Sequence, residues 1–529
     1  MTLMANDFRL ETKAITFTDN SPVFKILVGV ILLATTYFSL FHHLSERDFW
    51  SSHEARAAMD AASILEDTNF LSPKLYDGQK ELQKPPLYYW LVAFISWLRD
   101  TTPDTTSVRL PSAISALLTT CLICWYLITL GKTREAVFCF IFFLTCQHFV
   151  WASRIGRTDM LLTLLITIMA ISMEFSKNQQ RNQHLWMTTG SISLFLAILC
   201  KGLIGLVLGT GITLGVLALQ ACKSDPNNRV KSFFKKVNDS RIIFYWSITL
   251  LLASTTFYII DVYAEGEFLK TFLGYHHFTR ALGNGTLRSH PIWYYFFLSS
   301  TDFLPWTPLI IFLALLALKS KSTSETAQIG AIWFLMVFAI LSLASYKRSD
   351  YLLPAYPGMA IFFSCGLNDY LAQLEIKKRT VLTKIFLTIP PVLSSIGWLI
   401  YMDHYLPSVE PFREFRTPAA LIRDFTKEEL VFFNIELHSL AFHCGKPIKT
   451  VVGDKDFSSC ISDKDNIFVI TTPKDFRELS SSHDNWKKVI LFQREETEFS
   501  RPFVFAKFTK LGSPDVTAKP NAMHSASAK

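Results

Sequence analysis

The chain has 529 residues, half of them hydrophobic and only 18% charged. Positive mean hydropathy and long apolar runs exclude a soluble globular protein and indicate an integral membrane protein. The net charge of +8 does not call for a nucleic-acid partner, because Lys and Arg of membrane proteins collect on cytoplasmic loops. The Cys residues show no paired or zinc-type spacing. Cys121, Cys124, Cys139, Cys146, Cys200 and Cys365 sit in apolar runs, where Cys behaves as a small hydrophobe.

The first apolar run, Ser21–Phe41, is as long as a membrane span and no small-residue cleavage site follows it. It reads as an uncleaved helix. Arg9, Lys13 and Lys25 flank it and favour a cytoplasmic N-terminus. Next comes a polar, carboxylate-rich stretch from Glu46 to Trp90, around which the rest of the chain is organised. Apolar runs at 22–41, 107–130, 135–153, 159–175, 184–200, 202–221, 242–261, 292–318, 327–345, 351–371 and 381–402 predict eleven spans. Pro86–Leu98 is too short to cross, since a span needs about 20 residues, and is expected to lie on the membrane surface. Eleven spans place the 222–241 loop inside, with Lys223, Arg229, Lys231, Lys235, Lys236 and Arg241, as the positive-inside rule demands. Pro390-Pro391 is the only strong helix break that the spans predict.

An odd span count puts the C-terminus outside. Residues 403–511 alternate β-rich runs (Leu430–Ile435, Ile448–Val452, Ile467–Thr471, Lys488–Phe492, Phe503–Phe508) with polar helical stretches. They predict a small α/β extracytoplasmic domain. Residues 512–529 read as a disordered tail. The expected fold is an α-helical polytopic membrane domain over 1–402, whose first outer loop is 42–106, followed by that domain.

With this topology the remaining polar patches share one face. Glu54, beside His53, is placed to act as a general base, although Ser51-x-x-Glu54 is equally a helix capping box. Lys84 precedes Pro85-Pro86 at a helix start, where an anion such as a lipid phosphate is favoured; an interfacial snorkelling lysine has the same pattern. Arg157 and Asp159 lie at a helix junction and are either an anion site or a structural pair. Lys201, Lys347 and Arg348 are further cations on that face. Tyr275-His276-His277-Phe278-Thr279-Arg280 offers at most one metal ligand, because adjacent His side chains diverge. Scattered cations and carboxylates on one face suit an anionic lipid-linked substrate.

In order and spacing these motifs resemble the bacterial branch of the GT-C membrane glycosyltransferases, typified by lipid A 4-amino-4-deoxy-L-arabinose transferase and related to the protein O-mannosyltransferases. The resemblance spans most of 22–371. It rests on His53-Glu54-Ala55-Arg56, Lys84 to Trp90, Arg157 to Leu161, Lys201-Gly202, His277 with Arg280, and Lys347 to Pro354. It implies inverting transfer of a sugar from a polyprenyl-phosphate donor to a lipid A, glycan or protein acceptor on the outer side of a bacterial inner membrane. Under it, Lys84 meets the donor phosphate, with Arg157, Lys201 and Lys347 or Arg348 as further candidates. Glu54 or His53 and Asp159 carry the chemistry, and Arg56, Tyr88, Arg280 and Tyr351 line the site. His53 stands where the family has Asp, and Gln83 where the aminoarabinose enzymes have a metal-ligating Glu. No cofactor is therefore secured, and a divalent metal, with His277 as candidate ligand, stays open. The alternative is a secondary transporter or lipid flippase, which would carry mid-membrane ionisable residues and broken helices. A binding module built on the outer domain is a third reading.

Overall fold

The computed structural model describes residues 21–75, 80–178, 182–279, 289–319, 323–425, 429–445, 448–496 and 502–511. The tail expected to be disordered lies outside the described residues. By packing, the chain divides into two compact units: Met1–Leu44, Gln83–Leu87 and Leu110–Met402, then Ser45–Leu82, Tyr88–Arg109 and Asp403–Lys529. The second unit is thus assembled from three separate stretches of chain.

The first unit is helical, and the protein is a polytopic membrane protein. Among the described residues, eight helices are long and apolar enough to cross a membrane, or up to ten if each bent pair is one span. This falls short of eleven for physical reasons. The runs at 135–153 and 292–318 are not single rods. Thr133–Thr145 and Gln147–Ser153 meet at 67°, and Tyr294–Asp302 and Thr307–Lys319 at 117°. At the first break Cys146 leaves helical geometry (ψ 111°). At the second, Pro305 lacks an N–H and restricts the residue before it. The run at 351–371 opens with a 3-10 turn, Ser349–Ala355, that leaves only 17 residues of α-helix, Tyr356–Ala372. Pro390 and Pro391, the expected break, lie inside the unbroken helix Ile376–Ile400. The helix Leu87–Leu98 has 12 residues, short of a span as expected.

Two glycines set the tightest contact near the 3-10 turn. A Cβ on Gly330 would sit 2.6 Å from the Gly358 carbonyl oxygen, and one on Gly358 2.7 Å from that of Gly330. Glu325–Leu343 and Tyr356–Ala372 therefore touch backbone to backbone, as small residues allow in membranes.

In the second unit, strands β1 (Leu430–Phe433), β2 (Lys449–Val451), β3 (Asn466–Thr471), β4 (Trp486–Arg494) and β5 (Phe503–Lys510) form one sheet of order β2-β1-β3-β5-β4. β1 runs parallel to β2 and β3, and β5 antiparallel to β3 and β4. All five expected runs are strands. Both faces are covered: Leu430, Phe432, Phe468 and Phe505 pack on one side, Val431, Phe433, Val469 and Val504 on the other. That is why these strands read as continuous apolar runs. The helix Ser52–Asp67 buries Ala55, Ala58, Met59 and Ala62 and packs on the helix His438–Cys444.

Candidate functional site

The site residues separate between the two units. In the helical unit the junction 154–157 carries two arginines with different roles. Arg154 turns inward: its guanidinium donates to the carbonyls of Ser39 (3.0 Å) and His42 and lies over the Trp398 ring. It is a structural clamp. Arg157 instead pairs with Asp350, while its backbone N–H donates to Ser112 Oγ (3.3 Å).

Asp350 is the hub of this region. Arg348 approaches it at 3.3 Å and His148 Nε2 at 3.7 Å. Burial pushes its pKa up, but the neighbouring His148 ring, then the charges of Arg157 and Arg348, hold it well below the usual carboxylate range. In the first turn of the helix Thr158–Asn178, Asp159 pairs with Lys201. Gly202 takes φ 76°, which a glycine tolerates, so the chain turns directly after Lys201 into the next helix. The Lys201 ammonium lies 4.0 Å from the Tyr351 ring centre. Tyr351 sits in the fields of Lys201, Asp159 and Arg348 and so ties the two ion pairs together. Cys200, next to Lys201, lies within electrostatic range of Lys201, Asp159 and Lys84. Three cations (Arg157, Lys201, Arg348) thus gather with two carboxylates (Asp159, Asp350), and Lys84 lies within electrostatic range of Cys200 beside them.

Lys347 does not join them. It is buried, and its ammonium donates to the carbonyls of His290 (2.9 Å) and Ala344. Arg280 lies outside the described residues, as does the side chain of His277.

Glu54, His53, Arg56 and Tyr88 belong to the other unit. Glu54 is fully buried. Its oxygens accept from Arg109 Nε (2.7 Å) and Nη2 (3.2 Å) and from Arg47 Nη2 (3.3 Å). Arg109, also fully buried, donates in addition to the carbonyls of Arg47 (2.7 Å) and Asp48 (2.8 Å). Ser51 Oγ caps the helix by accepting from the His53 N–H (3.3 Å). Tyr88 is buried with its hydroxyl on the Val108 carbonyl (2.8 Å). Arg56 pairs with Glu81.

The Arg56 charge also reaches His438. Burial, then Arg56, pull the His438 pKa down from 6.5 to about 4. Folding thus favours the neutral ring. Its stabilisation is complete above pH 6.5 and fades as pH falls from 6.5 toward 4, by about 3 kcal/mol at most. Thermal melting of the full chain should show this loss, and His438→Gln should flatten it; an unchanged acid limb in that variant would remove His438 as its cause.

Sequence reasoning passed over Asp48, Arg109, His148, Asp302 and Asp350. Asp48 is fully buried and accepts from the N–H groups of Phe49 (2.7 Å) and Phe415 (2.6 Å), with His443 Nε2 at 2.7 Å. Burial raises its pKa; the His443 hydrogen bond and charge and the two N–H groups outweigh this and lower it. Arg109, His148 and Asp302 carried a readable signal: each is a lone ionisable residue inside an apolar run.

Residues 83–228 match the profile of the dolichyl-phosphate-mannose-protein mannosyltransferase family. An uncharacterized protein of Aquifex aeolicus is 26% identical over 383 residues, 71% of this chain and 69% of its own length. The undecaprenyl phosphate-alpha-4-amino-4-deoxy-L-arabinose arabinosyl transferase of Wigglesworthia glossinidia brevipalpis is 22% identical over 73% of this chain and 66% of its own, just under two thirds. The crystal structure of ArnT from Cupriavidus metallidurans bound to undecaprenyl phosphate aligns with a TM-score of 0.70 at 16% identity, over 92% of this chain and 98% of that one. At that identity the likeness is one of fold: the chain shares the fold of that protein.

Proposed function

We propose that the protein is a glycosyltransferase that moves a sugar from a polyprenyl-phosphate donor to a lipid, glycan or protein acceptor at the outer face of a bacterial inner membrane. The C-terminal sheet domain would lie on that same outer side. The observation that carries this is the basin of Arg157, Lys201 and Arg348 with Asp159 and Asp350 beside Tyr351, with Lys84 in electrostatic range of the neighbouring Cys200, set on a fold shared with a transferase whose crystal structure holds undecaprenyl phosphate.

The chemistry follows from charge. An acceptor oxygen attacks the sugar C1 and the C1–O(phosphate) bond breaks. The polyprenyl phosphate leaves with the negative charge, and the acceptor proton passes to a carboxylate. Fixed cations in a water-poor site stabilise the departing phosphate, and guanidinium forks suit its oxygens. Lys84, Arg157, Lys201 and Arg348 take this role. Asp159 is the carboxylate of choice, since it sits at the basin. Glu54 is offered as a structural anion instead, because its oxygens are held by Arg109 and Arg47. Lys347 is likewise assigned to holding its loop.

The test is transfer from a labelled polyprenyl-phosphate sugar by the reconstituted full chain, with envelope lipids of a deletion strain screened by mass spectrometry for the acceptor. Lys84→Ala should lower the rate on the order of 10²-fold, the worth of one transition-state charge contact. A wild-type rate in that variant would overturn the assignment. The transport reading has one observation in its favour, namely Asp302 and His148 beside two broken helices. Proton-coupled uptake into proteoliposomes would establish it, and its absence together with sugar transfer would dismiss it.

A further inference from the structure

The two helix breaks enclose a cavity of about 1020 Å³ within the helical unit. Its floor is built from buried Thr145, His148, Asp302 and Trp306. Trp306 Nε1 donates to Thr145 Oγ1 at 2.9 Å, which fixes one side of that floor. Its wall follows the helix Ile376–Ile400 and the turn beyond it, from Ile389 to Tyr401, roughly 18 Å at 1.5 Å per residue. Leu304, Ile389 and Leu393 border the cavity and are 40%, 48% and 62% exposed. In a membrane-spanning unit such exposed aliphatic side chains face acyl chains, so the cavity opens sideways into the lipid.

The floor is chemically specific. His148 is 9% and Asp302 8% exposed. His148 Nδ1 meets the Tyr356 hydroxyl at 2.8 Å. His148 Nε2 and Asp302 Oδ2 have no hydrogen-bond partner among the described residues. Their nearest charged neighbours are one another (Nδ1 to Oδ2, 3.9 Å) and Asp350 (3.7 Å from Nε2). Asp350 in turn is engaged by Arg157 and Arg348. Buried polar atoms left without partners are costly, and these two border a space large enough for a ligand.

We propose that this cavity is a second lipid-binding site, adjoining the basic basin through His148 and Asp350, that takes a membrane lipid with an uncharged hydroxyl headgroup. A hydroxyl both donates and accepts. It can donate to Asp302 Oδ2 and engage His148 Nε2 in either ring tautomer. A phosphate in the same place would face the Asp302 and Asp350 carboxylates, while the nearest guanidinium, Arg157, is already on Asp350. The apolar wall along Ile389, Pro390, Leu393 and Gly397 receives the lipid chain, and Trp151, Trp398 and Tyr401 flank it. This site stands or falls without reference to sugar transfer.

The test uses a matched pair of photoactivatable lipids, diacylglycerol and phosphatidate with the same chains, offered to the full-length protein in phosphatidylcholine nanodiscs without any sugar donor. Diacylglycerol should label peptides covering 301–306 and 389–401 about five-fold more than phosphatidate, the worth of one hydrogen bond. Leu393→Trp, a lipid-facing change that fills the mouth, should remove the labelling by both. Asp302→Asn should erase the preference by relieving phosphate repulsion. Equal labelling of the wild type by the two lipids would overturn the proposal. So would labelling that Leu393→Trp leaves unchanged, the mark of ordinary surrounding lipid. Retained transfer activity with failed labelling would sink this site alone.

Discussion

Arg109→Met should unfold or severely destabilise the unit built from residues 45–82, 88–109 and 403–529. The substitution leaves Glu54 as a fully buried carboxylate and strips the carbonyls of Arg47 and Asp48 of a donor. Breaking a buried pair from one side costs about 3–5 kcal/mol, which is a large share of a domain's whole stability. Glu54→Gln should also be severe, because Arg47 and Arg109 then share no anion. The double change Glu54→Leu with Arg109→Met should recover part of the loss, since it removes both charges. Recovery stays partial because each orphaned carbonyl still costs about 1–3 kcal/mol. Thermal melting and limited proteolysis of the full chain read these effects. The same series separates two roles for Glu54. A structural anion moves the melting temperature; a general base lowers kcat with the melting curve unchanged. The second result would return Glu54 to the chemistry.

Arg157→Ala should reduce transfer by about 10²–10³-fold while Arg157→Lys restores only part of it, because an ammonium lacks the planar fork that matches a phosphate. Asp350→Asn bears on the same point from the other side. Asp350 holds Arg157 and Arg348 together, so its loss should disorder the cations rather than remove them. The double variant should then be little worse than Arg157→Ala alone, as expected of residues that act as a unit. Additive losses, measured as kcat/KM, would show that Asp350 works independently of Arg157.

Much of this architecture was legible in the residues. Apolar runs located nearly every helix, and the five β-rich runs of the C-terminal segment became its five strands. Arg157, Asp159, Lys201 and Tyr351, read as lying on one face, do gather in the structure. What periodicity could not show is where a helix bends. The break at Cys146 has no proline to announce it, whereas Pro390 and Pro391 sit in a helix that stays whole. Nor could spacing rank ionisable residues by partner. Glu54 and Lys347 read as site residues because they are polar next to the membrane. Two of their partners, Arg109 and the His290 carbonyl, come from other parts of the chain. The lone Arg109 in an apolar run was the one clue to the first of these.

The way the second unit is put together has a consequence for its biosynthesis. Asp48 meets His443 across 395 positions of sequence. At a synthesis rate of about 5–20 residues per second, the Asp48 carboxylate waits roughly 20–80 s for that partner. The Phe415 N–H arrives almost as late. Throughout that interval the first polar loop has its helix and its Arg109 but not the segment that completes its core. The loop is therefore a nascent-chain client, exposed while every membrane helix between the two halves is being inserted. Its maturation is the last folding event of the protein rather than one of the first.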